Sequence, residues 1–595
     1  MSFLRREAIG AAHRLVEQGQ WADALSTLWQ LADRMHVVDD DLRTVLRLMA
    51  RSFHALERRR AVSTIQLFLG DLQGAWNSSE GEPLDRARVA ARAGDRTGAG
   101  AQYVEAGFVG HGAFELEAGD DPKGARVLWE RLAGDPQLVG QPYVAGLVRF
   151  NLGRVCERLG DSDAARRARI EAMHLLEAAA DGFETQGRRE RAFDCYQVLL
   201  TLGREGAFEN LAEGYLNCIR ILSEDNLRHY ALQYYDDFQQ LALERGELRA
   251  AATLFREAAD FCRRHGLPYE HHYRSRAADA LAEAGAETAA RGGPPEVAEA
   301  TYLASLDLYA TLGLYSRARQ VYEELTGLPL PDRRLRRYRR LRTRLATAPD
   351  ESLDRVPFPE HFRQDAAYPD IWRLDVLEWE RGGDAAEAMA DVLIDPRWDE
   401  FEHVRRPALF CRLHDLGASD RERARSDHQV RLAGLLSLVE IYTALGPLEE
   451  LFASEHPSVR AAAVKAVRQL YFKRSYEVVS AALRDPAEPV RREAIKAVAT
   501  LHFPHAFDPL SRIHRDHRHR GIRRAALESI GKIKTDDAVE YLIDLVRHGD
   551  SEERVLAADL LVRSEHERTN GLLAQAAAAE VGPLRRELEA IRSRR

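Results

Sequence analysis

Apolar positions recur at steps of three and four along nearly the whole chain, and no stretch sustains the alternation of a half-buried strand. The pattern therefore predicts an all-α fold. In the first half one arrangement returns. A turn residue, usually Gly, is followed five residues later by Ala, four later by a bulky residue and three later by an apolar one. It reads Gly19-Ala24-Leu28-Leu31, Gly94-Ala99-Tyr103-Ala106, Gly187-Ala192-Tyr196-Leu199, Gly246-Ala251-Phe255-Ala258 and Gly313-Ala318-Tyr322-Leu325. The segment Ala125-Trp129-Leu132 keeps the spacing, with Asp120 at the turn. These steps put the residues on one helical face, where a small Ala admits the neighbouring helix closely and the larger side chains fill the space beyond.

This arrangement resembles the tetratricopeptide repeat. The resemblance is clearest in FNLGRVCERLGDSDAARRARIEA, at Leu152, Gly153, Gly160, Ala165 and Ala172, and in LYATLGLYSRARQVYEELTGLPLP, at Gly313, Ala318, Tyr322 and Pro331. It covers roughly residues 1–345. The key alanines, at 24, 99, 125, 165, 192, 251 and 318, do not keep a fixed period, so irregular helix pairs are expected.

From Ala348 to Asp370 the pattern lapses into APDESLDRVPFPEHFRQDAAYPD, whose four prolines mark a connector. Beyond it an apolar–Arg pair opens a helix at Val430-Arg431, Val459-Arg460, Val490-Arg491 and Ile522-Arg523. The unit VVSAALRDPAEPVRREAIKAVATL resembles the short HEAT-like repeat, with an Asp-Pro turn and small residues at Ala494 and Ala497. The last segment, from Ala574, caps the array or frays. The expected organisation is an α-solenoid of stacked helix pairs: a tetratricopeptide-like domain over 1–347, a connector over 348–370 and a HEAT-like domain over 371–595.

Charge changes this picture locally. The chain of 595 residues carries a formal charge of −9, which argues against a general nucleic-acid binder. Residues 447–595, however, hold 26 basic and 23 acidic residues, so an anion-seeking surface belongs in the C-terminal third. The five cysteines, at 156, 195, 218, 262 and 411, are far apart and form no Cys-x-x-Cys pair, which fits buried, reduced thiols in a cytoplasm. The few lysines and the abundant Arg and Ala point to a high-GC bacterial source. No apolar run reaches the roughly 20 residues of a membrane helix, and the N-terminal segment reads as a first helix, not a secretory signal.

No phosphate loop, nucleophile elbow, His-Glu-x-x-His helix or dinucleotide glycine fingerprint is present, so no catalytic residue and no cofactor is assigned. A cluster of His514, His517, His519 and Asp516, with His502 and His505 upstream, has zinc-ligand chemistry. The arginines interleaved with it oppose a dication, and no metal is assigned. The loop Arg515–Arg520 instead precedes a helix start, where partial positive charge favours acidic neighbours and anions. The equivalent turn one repeat earlier, DPAEP, carries acid; this one carries Arg515, Arg518 and Arg520. Drift on an exposed loop is the plain alternative.

Lys465 and Lys496 share one repeat slot, and Arg492 and Arg524 share another, so stacking would line up a basic row. Arg460, Arg491 and Arg523 occupy the position that, by the HEAT resemblance, ties one repeat to the next. The segment PDRRLRRYRRLRTRL holds eight arginines within twelve residues, with Leu335, Tyr338, Leu341 and Leu345 on one stripe. It predicts an amphipathic helix whose arginine face, including Arg336, Arg337 and Arg340, binds an anionic partner or is simply solvated. Tyr230, Tyr234, Tyr235 and Phe238 pack between helices or hold a partner.

The function expected from these features is a non-catalytic scaffold or adaptor in a cytoplasmic bacterial assembly or regulatory pathway. The tetratricopeptide-like half would hold a peptide or helix, and the HEAT-like half a second, acidic protein. The alternative is nucleic-acid binding through the basic HEAT-like face.

Overall fold

The computed structural model describes residues 2–203, 209–224, 228–346, 371–470, 474–500 and 506–595, together with Pro349. The expected connector and the histidines His502 and His505 lie outside these residues, Pro349 apart. Among the described residues the chain is all-α, with thirty-four α-helices and no strand, and most helices pack on a neighbour in sequence. This is the expected α-solenoid architecture. No helix among the described residues is long and apolar enough to cross a membrane.

The turns explain the local structure. Gly19, Gly94, Gly160, Gly187, Gly246 and Gly313 all take φ between +68° and +84°, the left-handed geometry that ends a helix and that glycine adopts without strain. Asp120 occupies the same region at φ +59°, as a short polar side chain can. An Asp after the turn then caps the next helix: Asp95 accepts from the Gly98 N–H at 2.9 Å and Asp161 from the Ala164 N–H at 3.1 Å. Each of the seven alanines of the repeat has no exposed surface. They are the points of close helix approach.

By internal contacts the chain forms two compact units. One contains residues Met1–Val198 and Asp370–Arg595, the other Leu199–Pro369. In the second unit the helices Glu209–Glu224, Arg228–Glu244, Leu248–His265, Glu270–Ala290, Pro295–Thr311, Tyr315–Thr326 and Asp332–Ala346 each pack on the next. Its last three helices close over a core containing Tyr302, Tyr309 and Leu325. Tyr234, Tyr235 and Phe238 are buried and Tyr230 is half-buried, so this aromatic group packs between helices.

In the first unit the chain returns on itself. Ile371–Arg381 lies on Val109–Ala118 and Pro142–Arg158. Ala385–Ile394 lies on Arg59–Leu69 and Pro83–Arg92, and Glu402–Gly417 lies on Arg59–Leu69. The four receiving helices are alternate members of the N-terminal series, so they present one surface, and the returning segment covers it. Beyond Leu445 the helices pair regularly: Leu445–Phe452 with Pro457–Val467, Ser475–Ala482 with Glu488–Val498, Phe507–Asp516 with Arg520–Ile530, Asp536–His548 with Ser551–Arg563, and Thr569–Ala579 with Pro583–Arg594. The last helix buries Leu588 and Ile591, and Arg595 donates to the Leu561 carbonyl at 3.0 Å, so it packs against the helices before it.

Candidate functional site

The second helices of the regular pairs carry the expected basic row. Pro457–Val467 packs on Glu488–Val498, which packs on Arg520–Ile530. Val459, Val490 and Ile522 point inward, and the small Ala463, Ala494 and Ala526, all fully buried, admit the neighbours. The residues between them face solvent, and Lys465, Arg492, Lys496 and Arg524 are exposed.

The surface they form is not a bare cationic stripe. Arg492 pairs with Glu488 at 2.6 Å, Lys496 with Glu493 at 2.6 Å and Arg524 with Glu528 at 2.9 Å. Glu528 occupies in the third helix the slot that Lys465 and Lys496 hold in the first two. The lysine row therefore stops after two repeats. In the loop, Arg520 pairs with Glu552, while Arg515 and Arg518 are exposed without an ion pair among the described residues. Lys465 is likewise unpaired among them. Exposed pairs of this kind contribute about 0–1 kcal/mol each and are readily exchanged for an incoming charge.

Arg520–Ile530 has no acidic residue in its first turn, and His519, at the N-cap, makes no side-chain cap. His514 turns away from the loop. It is buried, its Nδ1 lies 2.8 Å from the Tyr541 hydroxyl, and burial lowers its pKa. Among the described residues no three His, Cys, Asp or Glu side chains are placed to hold a metal ion.

Arg460 ties repeats together. Its guanidinium makes two hydrogen bonds to Asp485, at 2.8 and 3.0 Å, reaching from one second helix to the turn of the next pair, and also holds the carbonyls of Ser454 and Glu455. Arg491 donates to the carbonyls of Asp485 and Pro486 at 2.7 Å.

In the other unit, Asp332–Ala346 is the expected amphipathic helix. Leu335 and Tyr338 pack on the core around Tyr302. Arg334 and Tyr338 both bond Glu299, at 2.8 Å for Arg334. Arg336 and Arg337 are exposed, with no carboxylate partner among the described residues; the Arg340 side chain lies outside them.

The covered N-terminal surface carries a feature that sequence reasoning missed. Three arginines and two carboxylates meet there. Arg412 Nη2 lies 2.5 Å from Asp85 Oδ1, and Arg60 reaches Asp85 at 2.9 Å and Glu387 at 2.7 Å. Arg88 pairs with both acids. Burial opposes charge on Asp85 and Glu387, but the surrounding guanidiniums hold both carboxyls below their usual range. Beside them, Glu380 accepts from the N–H groups of Gly110 and His111, at 2.5 and 3.0 Å, at the start of Val109–Ala118. One surface of the N-terminal helices is thus covered by residues 371–417 of the same chain. Asp85 and Glu387 are 302 positions apart, so nothing in either local pattern announced the meeting.

The family model for HEAT repeats matches residues 476–562, which contain four of the regular helices just described and parts of two others. No curated protein matches the chain. Among solved structures it is similar to a circular tandem repeat protein with a novel repeat topology and enhanced subunit contact surfaces. That likeness has 13% identity and a TM-score of 0.11, covering 99% of this chain and 94% of the other. Among the described residues the chain is all-helical, and its residues 476–562 are similar to HEAT repeats.

Proposed function

We propose that this protein is a non-catalytic scaffold or adaptor, and that the exposed side of its HEAT repeats holds an acidic protein partner. Adjacent helix pairs contact only their neighbours, so their outward residues form a continuous surface suited to recognition. The observation that carries the reading is Lys465, Arg515 and Arg518, exposed and without an ion pair among the described residues, beside the exchangeable pairs of Arg492, Lys496, Arg520 and Arg524. The arginine helix, with Arg336, Arg337 and Arg340, is a second basic surface for such a partner. The tetratricopeptide-like half serves in this reading as a folded platform for residues 371–417. The setting is a bacterial cytoplasm, consistent with five buried thiols.

The experiment is a triple reversal, Arg515→Glu, Arg518→Glu and Arg520→Glu, in the full chain. Poly-glutamate serves as the acidic probe and a short DNA duplex as the competing class. The fold survives, because all three side chains are exposed. Binding of poly-glutamate weakens and its salt dependence flattens. Unchanged binding at low salt removes the proposal, and selective loss of duplex binding replaces the protein partner with nucleic acid.

A further inference from the structure

A cleft of about 520 Å³ opens in the first unit between Trp21–Asp33, Asp40–Ala55, the end of Glu402–Gly417 and Ser426–Leu436. Its size falls in the range of small-molecule sites, about 300–1,000 Å³. It is remote in sequence from the basic row and does not depend on the reading of that row.

Trp29, Phe53, His414 and His428 give the cleft an aromatic lining. Trp29 is half-buried and held in place: its ring centroid lies 5.9 Å from those of Phe410 and His414, and the Arg431 guanidinium sits 6.0 Å over it. The charges at the rim cancel in pairs. Arg431 meets Asp33 at 3.2 Å and Arg425 meets Asp427 at 2.9 Å. Glu422 is engaged in capping the turn at Ser419. Glu422 leaves the rim one negative charge in excess, which disfavours an anionic ligand.

The polar groups that remain are neutral. His414, Ser26 and Gln30 present their side chains on the lining, and those of Ser26 and Gln30 make no hydrogen bond among the described residues. Burial, Arg431 and His428 push the His414 pKa down to about 4, so at neutral pH its imidazole offers one donor and one acceptor. Behind it His428 packs edge-on at 4.6 Å and is itself held by Asp415 at 3.4 Å. A rigid aromatic wall beside an uncharged donor–acceptor edge matches one ligand chemistry.

We infer that the cleft between Trp29 and His414 binds an uncharged planar aromatic group with a hydrogen-bonding edge. A free heteroaromatic molecule and an aromatic side chain of a bound peptide share this chemistry, and the test separates them.

The full-length protein is titrated by calorimetry with indole, with a capped tripeptide carrying a central tryptophan, and with indole-3-acetate as the charged control. One of the two neutral probes binds, and indole-3-acetate binds at least about tenfold more weakly. Binding of indole with no gain from the peptide assigns a small-molecule site; tighter binding of the peptide assigns a side-chain pocket. Ser26→Trp, at an exposed position on the lining, fills the cleft without removing a buried group and abolishes binding, while helicity and the unfolding transition stay unchanged. His414→Phe keeps the aromatic wall and removes the polar edge; it weakens binding about tenfold, the loss of one hydrogen bond to a neutral partner. Absence of heat from both neutral probes at millimolar concentration overturns the inference, and so does binding that Ser26→Trp leaves intact.

Discussion

Arg412 and Asp85, 327 residues apart in sequence, meet at 2.5 Å in the interior of the first unit, with their side chains only 2% and 4% exposed. Arg412 fastens the third helix of the returning segment to the fourth and sixth helices of the N-terminal series through Thr64 and Asp85, and to the second returning helix through Glu387. Two charges taken out of water gain little over a well-packed apolar pair, yet leaving one without its partner is costly.

Truncating this arginine is therefore severe. Arg412→Met strips the Thr64 hydroxyl, the Ala386 carbonyl and Asp85 of a donor, and it should cost about 3–5 kcal/mol. Hydrogen exchange should speed up first over 59–92 and 385–394. Arg492→Ala, which breaks an exposed pair on the HEAT face, should change stability by about 0.5 kcal/mol or less. Equal effects in denaturant titrations would mean that the buried cluster is no more than a surface network.

The same unit should respond to pH in two directions. Burial pushes Asp194 up to about 7 and Glu380 up to about 7, although Arg191 and Arg474 favour the charge on Asp194 and the Gly110 and His111 N–H groups favour it on Glu380. Asp375 and Glu477 add to the shift at Asp194. A carboxyl with a raised folded pKa binds its proton more tightly in the folded state, so stability falls as pH rises from the ordinary carboxyl range to about 7. Asp85 and Glu387 are lowered, so their contribution is lost only as pH falls below the ordinary carboxyl range. Asp194→Asn should raise the unfolding temperature at pH 8 by a few degrees and have a smaller effect at pH 5. Identical shifts at both values would remove the assignment.

Arg460 gives a local test of the repeat junction. Replacing it with Ala removes two bonds to Asp485 and two to carbonyls, a loss of about 1–3 kcal/mol. Lys should restore less than half, since a point charge cannot reproduce the forked geometry. Exchange should rise over 457–498 and stay unchanged over 59–118. Full rescue by Lys would show that charge alone matters at this junction.

Gly112 tests the closest helix crossing of the N-terminal series. A Cβ there would lie 2.9 Å from the Gly100 carbonyl oxygen and 2.7 Å from Val104 Cγ2, and the backbone cannot yield as a flexible side chain can. Gly112→Ala should destabilise by about 1–3 kcal/mol even though Ala is the better helix former. A neutral or stabilising outcome in a thermal melt would place the two helices farther apart.

Much of this protein is local and could be read from the chain. Helical periodicity gave the fold class, because each helix need only bury one stripe against its neighbours. The turn residues were legible because a left-handed reversal admits few side chains: Gly at six positions and Asp120 at one. The seven alanines were legible because close approach excludes anything larger. The apolar–Arg openings at Val459, Val490 and Ile522 located the second helices of the regular pairs, whereas Val430-Arg431 lies inside Ser426–Leu436 and opens no helix. Exposure of Lys465, Lys496, Arg492 and Arg524 followed from the same register.

Other properties belonged to no single segment. A repeat slot says that Arg492 faces solvent but not that Glu488, one turn away, shares its charge. His514, counted with the surface histidines by sequence proximity, has its ring turned onto Tyr541 by the packing of its helix. Nothing near Arg60, Asp85 or Arg88 indicates that Glu387 and Arg412 will cover them, because that meeting depends on where the chain goes over three hundred residues. The cleft beside Trp29 has the same origin, with walls taken from residues 25–53 and 414–431. Sequence determines periodicity, turns and the buried stripe, since these depend on neighbours three to five residues away. Long-range pairing of charges and the closing of cavities depend on tertiary packing, because a side chain's partners there are set by the path of the whole chain.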